Sequence, residues 1–155
     1  MQPQIEARVE DLRLKLHNSG HRITPQRLCI LRALVNTNSH PSAEEIYAQV
    51  RVVSPTTSLA TVYKTLDTLR DLGEVLELQP GDGRQHYDGV RPTFHPHVIC
   101  TRCGAIEDVE IAGLSGLPAQ AQTASGYEIH VPRVEFYGLC PACQARENKT
   151  ERSLE

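Results

Sequence analysis

Residues 58–73 read SLATVYKTLDTLRDLG, and this stretch decides the fold of the N-terminal half of the chain. Ser58 is a residue type that caps helix N-termini, and Gly73 is the type that ends helices. The apolar residues between them recur at helical spacing on one face: Leu59, Val62, Leu66 and Leu69. The stretch therefore predicts an amphipathic helix that must bury this face against other elements.

Three further helices are predicted before this one. Residues 5–17 place apolar side chains on one helical face, and Thr24 is suited to cap a second helix. Ser42 and Glu45 form the pattern of a capping box for a third helix that reaches about Val50. The N-terminal half is therefore expected to be mainly helical.

Two short strands are predicted after the helices, VLELQ at 75–79 and RQHYD at 84–88, around a Pro-Gly-Asp-Gly turn. Helices followed by a hairpin predict a winged helix-turn-helix, with Ser58–Leu72 in the position of the recognition helix. Other small helical domains that carry a hairpin share this pattern. The choice between them depends on the rest of the chain.

The second half of the chain changes to strand patterns. Strands are predicted for HVIC, AIEDVEI and YEIHVPRVEFYG, with a short helix near Leu117–Ala124. We therefore expect an α+β chain in four segments: a winged-helix domain (1–88), a hinge (89–94), an α/β domain (95–145) and a polar tail (146–155).

The composition is that of an ordinary globular protein, with 39% hydrophobic and 23% charged residues. No apolar run approaches the roughly 18 residues of a membrane span, and the N-terminal MQPQIEARVEDLRLKL is charged and amphipathic. We expect a cytoplasmic protein that does not associate with membranes. The alternative, a secreted disulfide-bonded protein, would need a secretory signal.

The two halves differ in charge. Residues 1–73 contain 9 Lys+Arg and 7 Asp+Glu, whereas residues 74–155 contain 7 and 12. The overall net charge of −3 argues against a general nucleic-acid binder. Any anionic partner is therefore expected to bind the N-terminal half.

Four of the 5 cysteines stand in two CxxC pairs, Cys100 with Cys103 and Cys140 with Cys143. Each pair follows a predicted strand, and in a reducing compartment such pairs are typical metal ligands. Four thiolates suit a closed tetrahedral site for structural Zn²⁺. A redox role for one pair is the alternative, but neither pair lies in a thioredoxin-like βαβ pattern.

Histidines and carboxylates form a second candidate group. His95 and His97 lie two residues apart at the start of a predicted strand, so both imidazoles can face the same side. The other candidates are His40, Asp88 and Asp108. Three imidazoles and two carboxylates suit Fe²⁺ or Mn²⁺ better than a structural zinc. Each residue taken alone is also compatible with an ordinary loop or strand-end position.

Five motifs, in order and over nearly the whole chain, resemble the ferric uptake regulator (Fur) family of metal-dependent bacterial repressors. They are GHRITPQR, HPSAEEIY, SLATVYKTLDTLRDLG, the HxHxxCxxCG core and the closing YGLCPAC. The resemblance implies that residues 1–88 bind DNA and that residues 95–145 bind metal and dimerise. It also implies a homodimer that binds double-stranded DNA at an AT-rich inverted-repeat operator when its regulatory metal is present.

Two positions resemble the peroxide-sensing branch of that family. Iron-uptake regulators usually carry glutamates where this chain has Asp88 and Asp108, and zinc-uptake regulators bring a cysteine to the sensing site. The spare cysteine here, Cys29, is expected to pack in the core. The link from Asp88 to His95 is slightly longer than is usual in the branch. The family's additional metal site is eroded, because its ligand positions hold Phe94, Pro96 and Pro132.

The resemblance also implies the DNA contacts. Arg22 is placed to reach a minor groove, and the residues near the start of the recognition helix are placed to meet bases or phosphates. These residues are Ser58, Thr61, Tyr63 and Lys64. Tyr63 could instead be a core aromatic residue.

We therefore expect a metal-dependent repressor, not an enzyme, that senses hydrogen peroxide through iron-catalysed oxidation of His40 or His95. A regulator of iron, manganese or zinc uptake that responds only to metal occupancy is the alternative within the same fold. A metallo-enzyme could use the same ligands, but the sequence offers no evident nucleophile constellation.

Overall fold

The computed structural model describes residues 2–36 and 40–152, and the chain forms two compact units. The N-terminal unit comprises the residues up to 79 together with 83–92, and the C-terminal unit comprises 80–82 and the residues from 93 onward. The last three residues of the predicted polar tail lie outside the described part of the chain. Within the described part, every helix is too short or too polar to cross a membrane.

The N-terminal unit has the element order of a winged helix. Its elements are α1 (Gln2–Asn18), α2 (Pro25–Val35), α3 (Ala43–Val53), α4 (Leu59–Asp71), β1 (Leu76–Leu78) and β2 (His86–Asp88). The two strands form an antiparallel hairpin in which Leu76 is opposite Asp88. The predicted helices and the predicted wing are confirmed, and α4 is the helix of the opening stretch.

Side-chain caps start three of these helices, as the sequence predicts. Thr24 Oγ1 accepts a hydrogen bond from the backbone N–H of Arg27 at 3.2 Å, and Ser58 caps α4 in the same way. At α3 the capping box is complete, because Ser42 and Glu45 each accept a bond from the backbone of the other. These caps fix where each helix begins and therefore which face it buries.

Helix α4 ends at Asp71, two residues before Gly73, which the sequence predicts as its stop. The backbone N–H of Gly73 donates to Arg70 O, and that of Glu74 donates to Leu69 O, both at 2.9 Å. Gly73 has a φ of 72°, which a residue with a side chain rarely adopts. The reversal leads the chain directly into the wing. The core beneath it consists of Leu12, Leu16, Ile30, Leu31, Leu34, Ile46, Val50, Val62, Leu66, Leu69 and Tyr87.

The C-terminal unit is built on a three-stranded sheet. Its elements are β3 (His97–Cys100), β4 (Ile106–Asp108), α5 (Leu117–Ser125), β5 (Glu135–Gly138) and α6 (Pro141–Arg152). Strand β3 is central and pairs antiparallel with β4 and parallel with β5. Helix α6 occupies the described part of the segment predicted as a polar tail.

The predicted strand at 127–138 is wrong over most of its length, because only Glu135–Gly138 pairs with β3. Pro132 has no backbone N–H to donate to a sheet, and Tyr127 and Val131 remain 77% and 68% exposed. Several apolar side chains of this unit are exposed in the same way, and every residue of α5 is at least partly exposed. The unit therefore has a small core and a large uncovered apolar surface.

Candidate metal centres and nucleic-acid interface

The four paired cysteines lie together in the C-terminal unit. Cys100 ends β3 and Cys103 follows in the next turn, while Cys140 precedes α6 and Cys143 lies in its first turn. The four sulfur atoms lie within 4.8 Å of one another, and the Sγ atoms of Cys103 and Cys140 are 3.7 Å apart. Tetrahedral zinc with Zn–S bonds of about 2.3 Å places sulfurs about 3.8 Å apart, so this cysteine site fits zinc.

Backbone N–H groups favour the thiolate form of Cys100. The N–H of Cys140 donates to Cys100 Sγ at 3.3 Å, and this bond, with that from Cys103, lowers the pKa of Cys100 to about 6. Burial has the opposite effect at Cys143, where it raises the pKa of the thiol to about 12. Metal ligation needs all four thiolates, so a bound dication would have to offset the effect of burial at Cys143.

Three of the predicted regulatory ligands form a second cluster in the C-terminal unit, the histidine triad of His95, His97 and Asp108. His97 begins β3 and is directly opposite Asp108, which ends β4. The Nε2 atoms of His95 and His97 lie 3.2 Å and 3.5 Å from Asp108 Oδ1, and both imidazoles are buried. His95 Nδ1 lies 2.8 Å from Thr93 O, where it can only donate, so Nε2 is the nitrogen that could bind a metal.

The remaining two predicted ligands form a pair in the N-terminal unit. His40 Nε2 and Asp88 Oδ2 are 4.0 Å apart, and both side chains are buried. The other oxygen of Asp88 accepts backbone hydrogen bonds from Val90 at 2.8 Å and Arg91 at 3.1 Å. His86 Nδ1 lies 2.7 Å from His40 O, so the imidazole of His86 fixes the backbone at His40. These contacts hold both ligands in place.

The segment after Asp88 is anchored from a distant part of the sequence. The guanidinium of Arg8 on α1 donates to Gly89 O and to Glu74 O, each at 2.9 Å, and it also pairs with the Glu74 carboxylate. Gly89 fits only because it lacks a side chain, since a Cβ there would lie 2.5 Å from Leu34 Cγ. The backbone that carries Asp88 is therefore set by packing on the helical core.

The predicted DNA-binding residues fall into two groups. Arg22, Thr61 and Lys64 line one groove of about 400 Å³ between the start of α2 and the exposed face of α4. Ser58 lies beside it as the α4 cap, and its hydroxyl is 2.9 Å from that of Thr61. Tyr63 packs partly on the core and donates a hydrogen bond to Glu44 at 2.5 Å.

Several residues that lie at these sites are not among those predicted from the sequence. Arg27 lines the same groove as Arg22 and donates to Arg22 O at 2.7 Å, which adds a third cation to that surface. His86 and Arg8 support the candidate ligands through contacts with residues 46 and 81 positions away. The motif GHRITPQR contains Arg27, so that residue could have been found, whereas the other two could not.

These features define a winged-helix regulator with a basic groove and separate sulfur and nitrogen-oxygen metal sites. The sequence model of the ferric uptake regulator family matches residues 18–137, and the chain belongs to this family of metal-dependent regulators. It is 40% identical over 140 residues to the peroxide-responsive repressor PerR of Staphylococcus saprophyticus, a match that covers 90% of this chain and 94% of that protein.

Two solved structures extend the comparison. The Campylobacter jejuni peroxide stress regulator is 36% identical with a TM-score of 0.65, covering 77% of this chain and 89% of that chain. A zinc uptake regulator complexed with zinc and DNA is 26% identical with a TM-score of 0.69, covering 93% and 97%. The predicted family is thus confirmed, as is the fold class of an N-terminal winged helix followed by a C-terminal dimerisation domain.

Proposed function

We propose that this chain is a metal-dependent transcriptional repressor that releases DNA when hydrogen peroxide oxidises one of its metal-binding histidines. The observation that carries the proposal is the buried histidine triad, which lies in the same unit as a separate four-sulfur cluster. Two sites of different donor type can hold different metals for different tasks. The name of the Staphylococcus saprophyticus relative, a peroxide-responsive repressor, supports this function.

The cysteine site is proposed to hold structural Zn²⁺ and to support the homodimer. Its ligands connect the end of β3 to the start of α6, so the metal would tie together a unit whose own core is small. The exposed apolar surface of that unit supports a second copy of the chain as the covering partner. It includes Val98, Tyr127, Val131, Phe136 and Tyr137.

The regulatory ion is proposed to be Fe²⁺ or Mn²⁺ held by ligands from both units: His40, Asp88, His95, His97 and Asp108. Ligation from both sides would restrict the hinge at 89–94. An ion that binds the restricted form more tightly shifts the protein toward that form, and DNA affinity follows by the same linkage.

Peroxide sensing is proposed to act on the ligands themselves. Fe²⁺ held by His40, Asp88, His95, His97 and Asp108 would supply the redox chemistry that activates hydrogen peroxide, and the peroxide is the two-electron oxidant of the step. A ring carbon of His40 or His95 then takes one oxygen atom of the peroxide in place of its hydrogen, and the other oxygen leaves as water. The altered imidazole no longer serves as a ligand, so the metal and then the operator are released.

The DNA interface is proposed to be the groove lined by Arg22, Thr61 and Lys64, with Ser58 and Tyr63 at its border. Two copies in a symmetric dimer would present two recognition helices, which matches an AT-rich inverted-repeat operator in double-stranded DNA. The solved zinc uptake regulator complexed with DNA supports this mode.

Fluorescence anisotropy with a palindromic AT-rich duplex tests the proposal. The manganese form should bind this duplex more tightly than the chelated form, and brief peroxide should release the iron form but not the manganese form. A regulator of metal uptake would show the first effect without the second. A metallo-enzyme would show neither.

A further inference from the structure

Tyr63 on the recognition helix α4 is tied to the start of α3. Its hydroxyl donates a hydrogen bond to Glu44 Oε1 at 2.5 Å, and Glu44 lies in the first turn of α3. The two residues are 19 positions apart, and both are half-buried. The bond therefore fixes the direction of the Tyr63 side chain from a neighbouring helix.

The charge state of the pair favours this bond. The hydroxyl of Tyr63 lowers the pKa of the Glu44 carboxyl below its ordinary value, with a smaller contribution in the same direction from Arg84. The Glu44 carboxylate in turn raises the pKa of Tyr63. At neutral pH an anionic acceptor thus faces a protonated donor, a combination that gives strong hydrogen bonds.

This bond limits what Tyr63 can offer to another partner. A phenol has one O–H, and the proton of this one is directed to Glu44. The hydroxyl can still accept a hydrogen bond, but it cannot donate one to a phosphate or to a base while the bond is intact. The aromatic ring remains, and its apolar surface is suited to contact with the methyl group of thymine.

Tyr63 borders the proposed DNA surface. Ala60 is exposed and lines the groove of that surface, and Tyr63 follows it by three positions, which makes the two residues neighbours on the helix. An uncompensated carboxylate beside such a surface would repel DNA. Glu44 is compensated, because it lies at the positive end of α3 and because Arg84 acts on it as a nearby cation.

We infer that Glu44 is a positioning residue for DNA recognition, which takes the hydroxyl proton of Tyr63 and thereby presents the ring of Tyr63 to thymine methyl groups of the operator. The inference rests on the proposed function, because it assigns a role at the proposed DNA interface. Glu44 then has two opposed effects: its charge weakens binding to any DNA, whereas its hydrogen bond favours particular sequences. A residue that only joined α3 to α4 would not have both effects.

Replacing thymine by deoxyuridine in the palindromic duplex, one symmetric pair at a time, removes single methyl groups and tests this role. The resulting loss of affinity, the uracil penalty, is measured with the zinc-containing dimer in its Mn²⁺ form. At one pair of positions the wild type should show a penalty of about 4-fold for each half-site, as expected for one buried methyl-sized group. Glu44→Ala should lose most of this penalty, and it should bind an unrelated duplex more tightly than wild type because a negative charge is gone.

Glu44→Gln is the matched variant, because its amide oxygen still accepts the hydrogen bond while the charge is lost. It should keep the uracil penalty of wild type and share the tighter binding of Glu44→Ala to the unrelated duplex. Glu6→Ala, at an exposed residue of α1, should change neither quantity. In a Tyr63→Phe background, Glu44→Ala should not change the penalty further, since the hydroxyl through which Glu44 acts is absent.

Equal uracil penalties in wild type and in folded Glu44→Ala would overturn the inference and leave Glu44 as a contact between helices. If Glu44→Ala does not fold, Tyr63→Phe decides, because it breaks the same bond and should lose the penalty although it keeps a ring. If the wild type shows Mn²⁺-stimulated binding but no uracil penalty at any position, only the role of Glu44 is wrong. If the wild type shows no Mn²⁺-stimulated binding to the palindromic duplex, the proposed function fails and the inference fails with it.

Discussion

The cysteine site and the histidine triad lie at opposite ends of one four-residue strand, β3, which begins at His97 and ends at Cys100. The cysteine site draws its four sulfurs from the end of β3 and the following turn and from the start of α6, and these atoms lie within 4.8 Å of one another. The triad offers imidazole nitrogens and a carboxylate, and the Asp108 side chain is 29% exposed. Closed sulfur sites hold zinc for stability, whereas nitrogen and oxygen ligands near solvent allow an ion to exchange. This difference in donor chemistry supports the proposal that one end of the sheet is structural and the other end senses.

The largest difference between the two ends should appear on removing a cysteine ligand. Cys100→Ser or Cys140→Ser should release zinc and leave a largely monomeric, poorly folded chain. Structural zinc binding in small domains is worth about 10–16 kcal/mol, which is comparable to the whole stability of a domain. Zinc content by elemental analysis and mass by light scattering measure the effect.

Cys29→Ser is the control for that experiment, because Cys29 packs against the helical core of the N-terminal unit. It should keep zinc and the dimer. If the Cys100→Ser variant is dimeric and has the wild-type melting temperature, the cysteine site has no structural role.

Removal of a triad ligand should have a functional effect without a structural one. His97→Ala should abolish the metal-stimulated gain in operator affinity, expected at about 5- to 150-fold from typical coupling energies, while zinc and the dimer persist. Operator titrations with and without Mn²⁺ measure it. His130→Ala is the matched control, since the His130 side chain is 74% exposed. Metal stimulation that survives in His97→Ala would contradict the sensing role.

A smaller effect is expected in the segment that carries Asp88. Gly89→Ala should lower the stability of the N-terminal unit by about 1–3 kcal/mol, because the new Cβ would overlap the buried Leu34 side chain. Gly138→Ala is the control, since a Cβ there would meet open space. Thermal unfolding measures both variants. Equal melting temperatures for Gly89→Ala and Gly138→Ala would show that packing on the helical core does not fix the backbone of the segment that carries Asp88.

The smallest effect concerns the proposed DNA contacts of α4. Lys64→Ala should weaken operator binding at every sequence tested and reduce the salt dependence of log affinity by about one unit, as expected for one lost phosphate contact. Arg13→Ala, which removes an exposed pair with Glu10, is the control. An unchanged salt slope in Lys64→Ala would exclude a phosphate contact.

The elements that sequence predicts well are those set by local chemistry. The caps at Thr24, Ser42 and Ser58 and the stop at Gly73 each depend on residues within a few positions, and all are found. The CxxC pairs are predictable for the same reason, because their spacing alone presents two sulfurs to one metal.

The parts of the structure that the sequence does not predict depend on contacts between residues far apart in the chain, or on a residue that cannot pair in a sheet. Arg8 reaches Gly89 across 81 positions, and the parallel pairing that puts Glu135 beside His97 has no local signature. The alternating pattern in YEIHVP predicts a strand, but Pro132 cannot donate to a sheet. The sequence predicts a polar tail at 146–155, and α6 extends into this segment up to Arg152.

The central proposal is that the cysteine end of β3 is structural and the histidine end senses peroxide. Mass spectrometry of the iron and manganese forms after brief exposure to hydrogen peroxide tests it most directly. The zinc-bound thiolates should be shielded and the histidine ligands exposed to oxidant formed at the iron. The expected result is one added oxygen atom on the peptide containing His40 or His95 in the iron form, in step with loss of operator binding. The manganese form should remain unmodified and bound to DNA. Oxygen found only on cysteine, or equal release of DNA by the manganese form, would contradict the histidine mechanism and leave a regulator that responds to metal occupancy alone.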